Sequence, residues 1–188
     1  AIPLRLVGSE MCIRDSIESV HSYTNDQNLI DNFHKKDRRG RSAALNMVIT
    51  ETGAGKAVGQ VLPELIGKLT ANAVRVPTPN VSLAIMNLHL GRDISTDEIN
   101  DFLRQKAFHS DLKEQIGFTN SSEVVSTDFV GDRHAGIIDA AATIVNGDKC
   151  VLYVWYDNEF GYTAQLLGLA KEMVGLTYQR YPNFTETT

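Results

Sequence analysis

His21 lies in the segment SIESVHSYTNDQN, between a short apolar stretch and a polar loop, with Thr24 three residues later. A histidine near neutral pH can serve as a general acid or base, but it usually needs a nucleophile or an acid as its partner. No serine or cysteine motif of a known nucleophile precedes His21. Composition alone does not distinguish it from the other histidines, which are His34, His89, His109 and His134.

Two further segments could bind an anion. Thr52 and Gly53 come just before a helical pattern, where unpaired backbone N–H groups and the helix dipole attract negative charge; the alternative is a plain capped helix. Arg75 stands in the apolar strand pattern AVRVPTPN. A guanidinium held there would suit bidentate binding of phosphate or carboxylate; the alternative is an internal salt bridge. Asn158, in WYDNEFGY, ends a strong strand pattern, and its alternative is a turn residue that bonds its own backbone.

The whole chain has the composition of one ordinary globular domain. It has 188 residues, 43% hydrophobic and 22% charged, with a formal net charge of −5. This acidic balance argues against nucleic acid or an anionic membrane as the main partner, and no apolar run is long enough to span a bilayer. Cys12 and Cys150 show no metal-ligand spacing, so we predict no metal site and a reducing, cytoplasmic setting.

The first sixteen residues, 1–16, differ from the rest, and we predict an artefactual or unstructured leader there, followed by a domain over 17–188. The run GSEMCIRDS looks like a translated sequencing adapter, although a short variable segment is the alternative. A secretory signal is excluded because the apolar stretch is too short and Arg5 interrupts it.

Elements that could position these residues follow from periodicity and turn signals. Strands are predicted at SIESV, SAALNMVIT and on either side of the Pro-bounded turn in NAVRVPTPNVSLAIMNLHL. Helices are predicted at 54–65, ended or kinked by Pro63, at 95–108 behind a Ser95–Glu98 capping box, and at the terminus. Asn146–Gly147 predicts a hairpin turn. Strands outnumber helices, which predicts an α+β fold with a mixed, largely antiparallel sheet and helices packed on one face.

Six motifs, in order along the chain, carry a resemblance to a known family. VHSYTNDQ, RRGRSAALN, TETGAGKAVGQVLPELIGKLT, VRVPTPNVS, EVVSTDFVGD and YVWYDNEFGY resemble the C-terminal catalytic domain of the phosphorylating glyceraldehyde-3-phosphate dehydrogenases. The resemblance runs from about Ile17 to the terminal helix. It implies the fold of that domain and the oxidation of an aldehyde phosphate to an acyl phosphate through a cysteine thioester.

The resemblance also implies a role for particular residues. His21 matches the catalytic histidine, which activates the cysteine and relays protons. Thr24 and Arg75 match the residues that hold the substrate phosphate. Thr52 and Gly53 match the site of the attacking inorganic phosphate.

Three more roles follow from the same resemblance. Asn158 matches the asparagine that fixes the nicotinamide carboxamide of NAD or NADP, with Tyr162 beside it. Residues 25–47 match a loop at the subunit interface, from which Arg39 would lean toward the anion sites. The family is homotetrameric, so the implied partners are glyceraldehyde 3-phosphate, inorganic phosphate and further copies of the chain.

The family's NAD-binding domain and its Ser-Cys-Thr-Thr-Asn nucleophile segment are absent from these 188 residues. Neither Cys12, in EMCIRDS, nor Cys150, in a strand pattern, has the flanks of that segment. The resemblance therefore implies a fragment, inactive alone, in which the partner of His21 is missing. Two alternatives stay open: a fragment of the closely similar erythrose-4-phosphate dehydrogenase, and a non-catalytic interaction module. The choice between NAD and NADP belongs to the absent domain.

Overall fold

A computed structural model describes residues 15–176, which form a single mixed β-sheet with three α-helices. The sheet has eight strands within this described range: β1 (Asp15–Ser22), β2 (Val48–Thr50), β3 (Leu69–Val76), β4 (Ser82–His89), β5 (Ile116–Thr119), β6 (Gly136–Asp139), β7 (Ile144–Asn146) and β8 (Lys149–Tyr156). The helices are α1 (Ala54–Val61), α2 (Thr96–His109) and α3 (Phe160–Met173).

The strand order is β2-β3-β1-β4-β8-β6-β5, with β7 paired to β8. Of the seven strand pairs, β1–β3 and β5–β6 are parallel and the other five are antiparallel. The predicted α+β fold with a largely antiparallel sheet is therefore confirmed. No helix among the described residues is both long and apolar enough to cross a membrane.

Helix α2 begins and packs as its sequence predicts. The Ser95 hydroxyl accepts a hydrogen bond from the Glu98 backbone N–H at 3.1 Å, which satisfies one free donor of the first turn. The Glu98 carboxylate pairs with Arg92 instead of completing the capping box. Ile99, Leu103 and Ala107 recur every four residues and are buried against the centre of the sheet, in a cluster with Met86, Leu88, Leu152 and Val154.

Helix α1 lies on the same face of the sheet as α2. A Cβ on Gly55 would lie 3.4 Å from the Ala71 side chain, and Ala71 pairs with Ile17, which packs against the α2 cluster. Paired residues on adjacent strands point to the same face, so both helices cover one side. Pro63 lies two residues after the end of α1 and opens a short 3₁₀ turn, as its missing N–H predicts.

Helix α3 lies against the loops that precede β5 and β6. A Cβ on Gly161 would lie only 2.7 Å from the His134 carbonyl oxygen, so the helix backbone approaches that loop very closely. Gln165 Nε2 donates to the carbonyl oxygens of Glu114 and Arg133 at 3.0 and 2.8 Å. Helix α3 is therefore fixed at its first half, and residues beyond 176 of the predicted terminal helix lie outside the described range.

Two predicted elements are shifted or shorter. The strand predicted at 42–50 is wrong for its first six residues, because only Val48–Thr50 pairs with β3. Ser42 Oγ donates to the Leu29 carbonyl and Asn46 Nδ2 to the Ser42 carbonyl, so side chains hold that segment in a turn. The hairpin turn is confirmed but comprises Gly147–Asp148, since Asn146 still pairs with Lys149.

Strand β1 begins at Asp15, two residues before the domain boundary predicted at Ile17. Asp15 is fully buried, and its Oδ1 accepts a hydrogen bond of 2.7 Å from the His89 backbone N–H, which ties the strand start to β4. Residues 1–14, including Cys12, lie outside the described range.

Candidate functional site

The parallel pairing of β1 with β3 brings His21 and Arg75 side by side at the ends of their strands. Tyr156, at the end of β8, completes this row, with its ring edge-on to the imidazole at a centroid distance of 6.1 Å. His21 and Arg75 are 54 residues apart in sequence, so only the sheet register makes them neighbours. The row lies at one end of three adjacent segments of the sheet: β3, β1 and the β4–β8 pair.

One carbonyl oxygen, that of Ser22, contacts both the imidazole of His21 and the guanidinium of Arg75. His21 Nδ1 lies 2.7 Å from the Ser22 carbonyl oxygen, and Arg75 Nη1 donates to the same oxygen at 3.1 Å. This geometry fits the neutral tautomer in which Nδ1–H donates to Ser22, and Nε2 then carries the free lone pair. Arg75 Nη1 also lies 2.6 Å from Nδ1, so a second proton on the ring would meet a permanent positive charge.

The same surroundings keep His21 neutral at pH 7. Burial lowers the pKa of His21 below its ordinary value of about 6.5, the hydrogen bond to Ser22 opposes this, and the Arg75 charge lowers the pKa further. A neutral imidazole with its Nε2 lone pair free is suited to accept a proton from an acidic partner.

Arg75 is half-buried and has no carboxylate within ion-pair distance among the described residues. The predicted alternative, an internal salt bridge, is therefore not found within residues 15–176. Burial and the positive charge of Arg39 lower the pKa of Arg75, although a guanidinium stays charged. With Nδ1 of His21 protonated, the hydrogen bond of Arg75 among the described residues is the one from Nη1 to the Ser22 carbonyl oxygen, so Nη2 remains available to an anion.

Arg39 reaches this region from the loop over 25–47. Its side chain is 12% exposed and forms an ion pair with Asp26, which also pairs with Lys36. The loop is held together by backbone bonds from Asn28 N to Arg39 O and from Ala43 N to Asn28 O. Arg39 thus contributes positive potential near Arg75 while its own charge is partly neutralised by Asp26.

The start of α1 supplies backbone N–H donors on the face of the sheet to which Arg75 points. Thr50, in β2, pairs with Ala73, two residues along β3 from Arg75, and Thr52 and Gly53 follow immediately. The N-cap residue of α1 is Gly53, one residue after the predicted Thr52. Thr52 Oγ1 nevertheless accepts a hydrogen bond of 3.2 Å from Ala54 N. A Cβ on Gly53 would meet nothing within 4 Å, which leaves open space at the helix start.

Thr24 lies in the turn after β1, where its carbonyl accepts from Gln27 N.

Asn158 is tied to the strand that carries His21. Its Oδ1 accepts hydrogen bonds from Ser22 Oγ at 2.8 Å and from Ser82 Oγ at 3.0 Å. The alternative of a turn residue bonding its own backbone is therefore wrong. Tyr162 lies four residues later in the first turn of α3, with 71% of its surface exposed.

Sequence reasoning missed three polar residues that position Asn158. Ser22 and Ser82 are 60 residues apart, and no spacing signal links them before the sheet register is known. Asp157 does carry a signal, because an aspartate just before a helix often accepts from the first backbone N–H groups. Its Oδ1 accepts from Glu159 N and Phe160 N at 2.9 and 2.8 Å.

Cys150 is a poor nucleophile. The thiol is buried in the core of the sheet, with 1% of its surface exposed, and burial raises its pKa to about 11. A thiol in this state is protonated at pH 7 and does not reach a substrate.

The model of the family described as the glyceraldehyde 3-phosphate dehydrogenase C-terminal domain matches residues 9–158, most of the chain. The chain belongs to this family. It contains the row of His21, Arg75 and Tyr156, the start of α1 and Asn158 within the matched range.

Named relatives agree with this family. The chain is 62% identical over 170 residues to a glyceraldehyde-3-phosphate dehydrogenase-like protein of Pseudomonas aeruginosa, covering 90% of the chain and 37% of that protein. It is 45% identical over 158 residues to glyceraldehyde-3-phosphate dehydrogenase 1 of Bacillus subtilis, covering 84% of the chain and 47% of the relative. Glyceraldehyde-3-phosphate dehydrogenase 2 of Drosophila melanogaster is 48% identical over 157 residues, at 82% and 47% coverage. The chain thus spans about half, or less, of these relatives' lengths.

Proposed function

We propose that this chain is the catalytic half of a phosphorylating, NAD(P)-dependent glyceraldehyde-3-phosphate dehydrogenase. The observation that carries the proposal is the half-buried guanidinium of Arg75, which has no carboxylate partner among the described residues and lies 2.6 Å from His21. A buried positive charge without a counter-ion is costly unless a ligand anion supplies the missing charge. An anionic substrate bound at Arg75 would have its reactive end near the imidazole.

The reaction assigns a distinct task to each group. His21 accepts the proton of a cysteine thiol at Nε2, because the ring is neutral and its Nδ1 is engaged with Ser22. Arg75 and Thr24 bind the phosphate of the aldehyde substrate. Arg39, Thr52 and Gly53 bind the inorganic phosphate that cleaves the thioester, with the N–H groups at the start of α1 as donors.

Asn158 fits the nicotinamide end of a dinucleotide. Both hydrogen bonds to its side chain end at Oδ1, so the N–H groups of Nδ2 remain available as donors to a carboxamide carbonyl. A bound dinucleotide supplies the hydride acceptor of the reaction. Tyr162 lies four residues after Asn158 and is exposed on α3, and we assign it a supporting contact.

We further propose that these 188 residues alone do not turn over substrate. They contain no dinucleotide fingerprint and no Ser-Cys-Thr-Thr-Asn segment, and the Cys150 thiol is buried with a raised pKa of about 11. The purified chain is expected to give no NAD or NADP reduction with glyceraldehyde 3-phosphate and inorganic phosphate. Turnover above a protein-free control would refute this part of the proposal.

The partners follow from the same proposal. We propose further copies of the chain as protein partners, in the homotetramer typical of the intact enzyme, and a cytoplasmic location. Exposed apolar side chains in the loop over 25–47, among them Phe33 at 89% and Leu45 at 82% exposure, support a contact between copies. The net charge of −5 gives no support to a nucleic-acid or membrane partner.

Anion binding by this chain tests the proposed site directly. Titrate the chain with inorganic phosphate and with glyceraldehyde 3-phosphate, and measure affinity by isothermal calorimetry and by NMR shifts at His21. Arg75→Gln should weaken glyceraldehyde 3-phosphate by roughly 10- to 100-fold, since it removes charge-assisted hydrogen bonds, and should weaken inorganic phosphate, assigned to Arg39 and the start of α1, much less. Arg104→Gln is the matched control, because Arg104 pairs with Asp101 on the surface of α2. Equal affinities in all three proteins would overturn the assignment of Arg75.

A further inference from the structure

The backbone around Asn158 is anchored on both sides by one buried carboxylate. Asp157 is 2% exposed, and its Oδ1 accepts from Glu159 N and Phe160 N. Its Oδ2 accepts from Gly131 N at 2.9 Å and from Asn80 Nδ2 at 3.0 Å. Four donors on three separate segments therefore fix the backbone position of Asn158, independently of the contacts of its side chain.

The turn that carries Ser82 is held in an unusual conformation by the same network. Val81 has a φ of +64°, in the left-handed region that β-branched residues avoid, and it is 2% exposed. Asn80 holds it by accepting from Val81 N at 2.8 Å and by donating to Asp157. A positive φ at a β-branched residue is energetically unfavourable and persists only where surrounding contacts fix it. Here the conformation of Val81 sets the position of the next residue, Ser82.

Two buried hydroxyls then meet the carboxamide oxygen of Asn158. Ser22 is fully buried and Ser82 is 1% exposed. Ser82 Oγ accepts a bond of 3.2 Å from Ser22 N, so its hydroxyl proton is left to donate to Asn158 Oδ1 at 3.0 Å. Ser22 Oγ donates to the same oxygen at 2.8 Å.

A carboxamide has two orientations that fill nearly the same space, with its oxygen and nitrogen exchanged. In the exchanged orientation, Nδ2 would face the two hydroxyls, and their protons would need other acceptors in a site closed to water. Ser82 has one alternative, the hydroxyl of Tyr156, which lies close enough to interact with it. The hydrogen bonds of Ser22 Oγ within the described residues go to Asn158, so Ser22 has the larger influence on the orientation.

We propose that Ser22 and Ser82 are positioning residues that hold Asn158 as a hydrogen-bond donor toward its ligand. This rests on the proposed function, in which that ligand is the carboxamide of a nicotinamide dinucleotide. Asn158 then selects for the ligand's carbonyl oxygen and makes no use of the ligand's own N–H groups. The selection is set before the ligand arrives, because both hydroxyls act on the free protein.

The orientation itself is measurable in the 188-residue chain without any cofactor. Compare the Asn158 side-chain amide by NMR in the unaltered chain, in Ser22→Ala, in Ser82→Ala and in the double variant, with the resonance assigned by its loss in Asn158→Asp. The side-chain order parameter is expected to be high in the unaltered chain and clearly lower in the double variant, where neither hydroxyl restrains the amide. Ser22→Ala should have the larger single effect. Ser110→Ala, at the end of α2, is the control for loss of a serine hydroxyl elsewhere. An unchanged order parameter in the double variant overturns the proposal.

The consequence for the ligand is measurable in the complete gene product. NAD and its 3-acetylpyridine analogue share the carbonyl, but only NAD has amide N–H groups. The unaltered protein should bind both with similar affinity. In the double variant the released amide can turn and accept from NAD, so the analogue should lose roughly five-fold more affinity than NAD. Equal losses for both dinucleotides would make the serines merely structural and overturn the proposal. Failure of the unaltered protein to bind either would refute the proposed function instead, and the NMR comparison would still decide the orientation.

Discussion

At the scale of single residues, the decisive contact is a permanent cation beside a titratable base. Arg75 Nη1 and the Ser22 carbonyl both meet His21 Nδ1, at 2.6 and 2.7 Å. The carbonyl orients the ring and the guanidinium opposes its protonation. This combination leaves Nε2 as a base at neutral pH.

We therefore expect His21 to titrate below its ordinary pKa of about 6.5 when the chain is followed by NMR. In Arg75→Gln the pKa of His21 should rise but remain lowered, because burial is the larger cause and the charge of Arg75 the smaller. A pKa of His21 at or above 6.5 in the unaltered chain contradicts this account.

The same lowered pKa makes His21 a source of acid sensitivity. Between the folded pKa and about 6.5, the unfolded chain binds a proton at His21 that the folded chain does not. The free energy of unfolding should consequently fall as the pH drops from 6.5 through the folded pKa. His21→Asn should flatten that part of the urea-denaturation profile. An identical slope in His21→Asn would show that His21 does not contribute.

At the scale of elements, α3 depends on one glycine for its position. Gly161 is buried, and a methyl group there would lie 2.7 Å from the His134 carbonyl oxygen, a backbone atom that cannot move cheaply. Gly168 lies seven residues later in α3, and a methyl group there would meet nothing within 4 Å. The two sites share helical backbone but differ in their neighbours.

Alanine at these two positions should therefore have opposite effects. Gly168→Ala should raise the free energy of unfolding by about 0.5–1 kcal/mol through helix propensity alone. Gly161→Ala gains the same propensity but must displace the loop at His134, and we expect a net loss of about 1–3 kcal/mol. Urea denaturation of both variants measures the difference. Stabilisation by both would mean that α3 is not seated against that loop.

Long periodic elements were predictable from the sequence, and elements set by local side-chain bonds were not. Strands β1, β3, β4 and β8 and helix α2 follow their hydrophobic pattern. The segment from Ser42 reads as a strand, yet its side chains bond nearby backbone and hold a turn. At the site, residue types pointed to His21, Arg75 and the start of α1. The serines that orient Asn158 could not be found, because their proximity exists only through the sheet register.

At the scale of the whole molecule, the two faces of the sheet are unequally covered. Helices α1 and α2 lie on one face. On the other, Glu18 pairs with Ile85 and Ile85 with Tyr153, and this row is partly or fully exposed. The loop over 25–47 adds exposed Phe33 and Leu45. Apolar surface on this scale favours contacts between protein molecules.

Self-association through the loop and the uncovered sheet face is therefore expected. The unaltered chain should show an average mass above that of a monomer in light scattering at micromolar concentration, since burial of apolar side chains drives association. Phe33→Ser and Leu45→Ser should together lower that mass. Met173→Ser is the matched control, because Met173 is 79% exposed but lies on α3, away from the loop in sequence. If only Met173→Ser lowered the mass, α3 would be the associating surface. A monomer in the unaltered chain would remove this support for a homo-oligomer altogether.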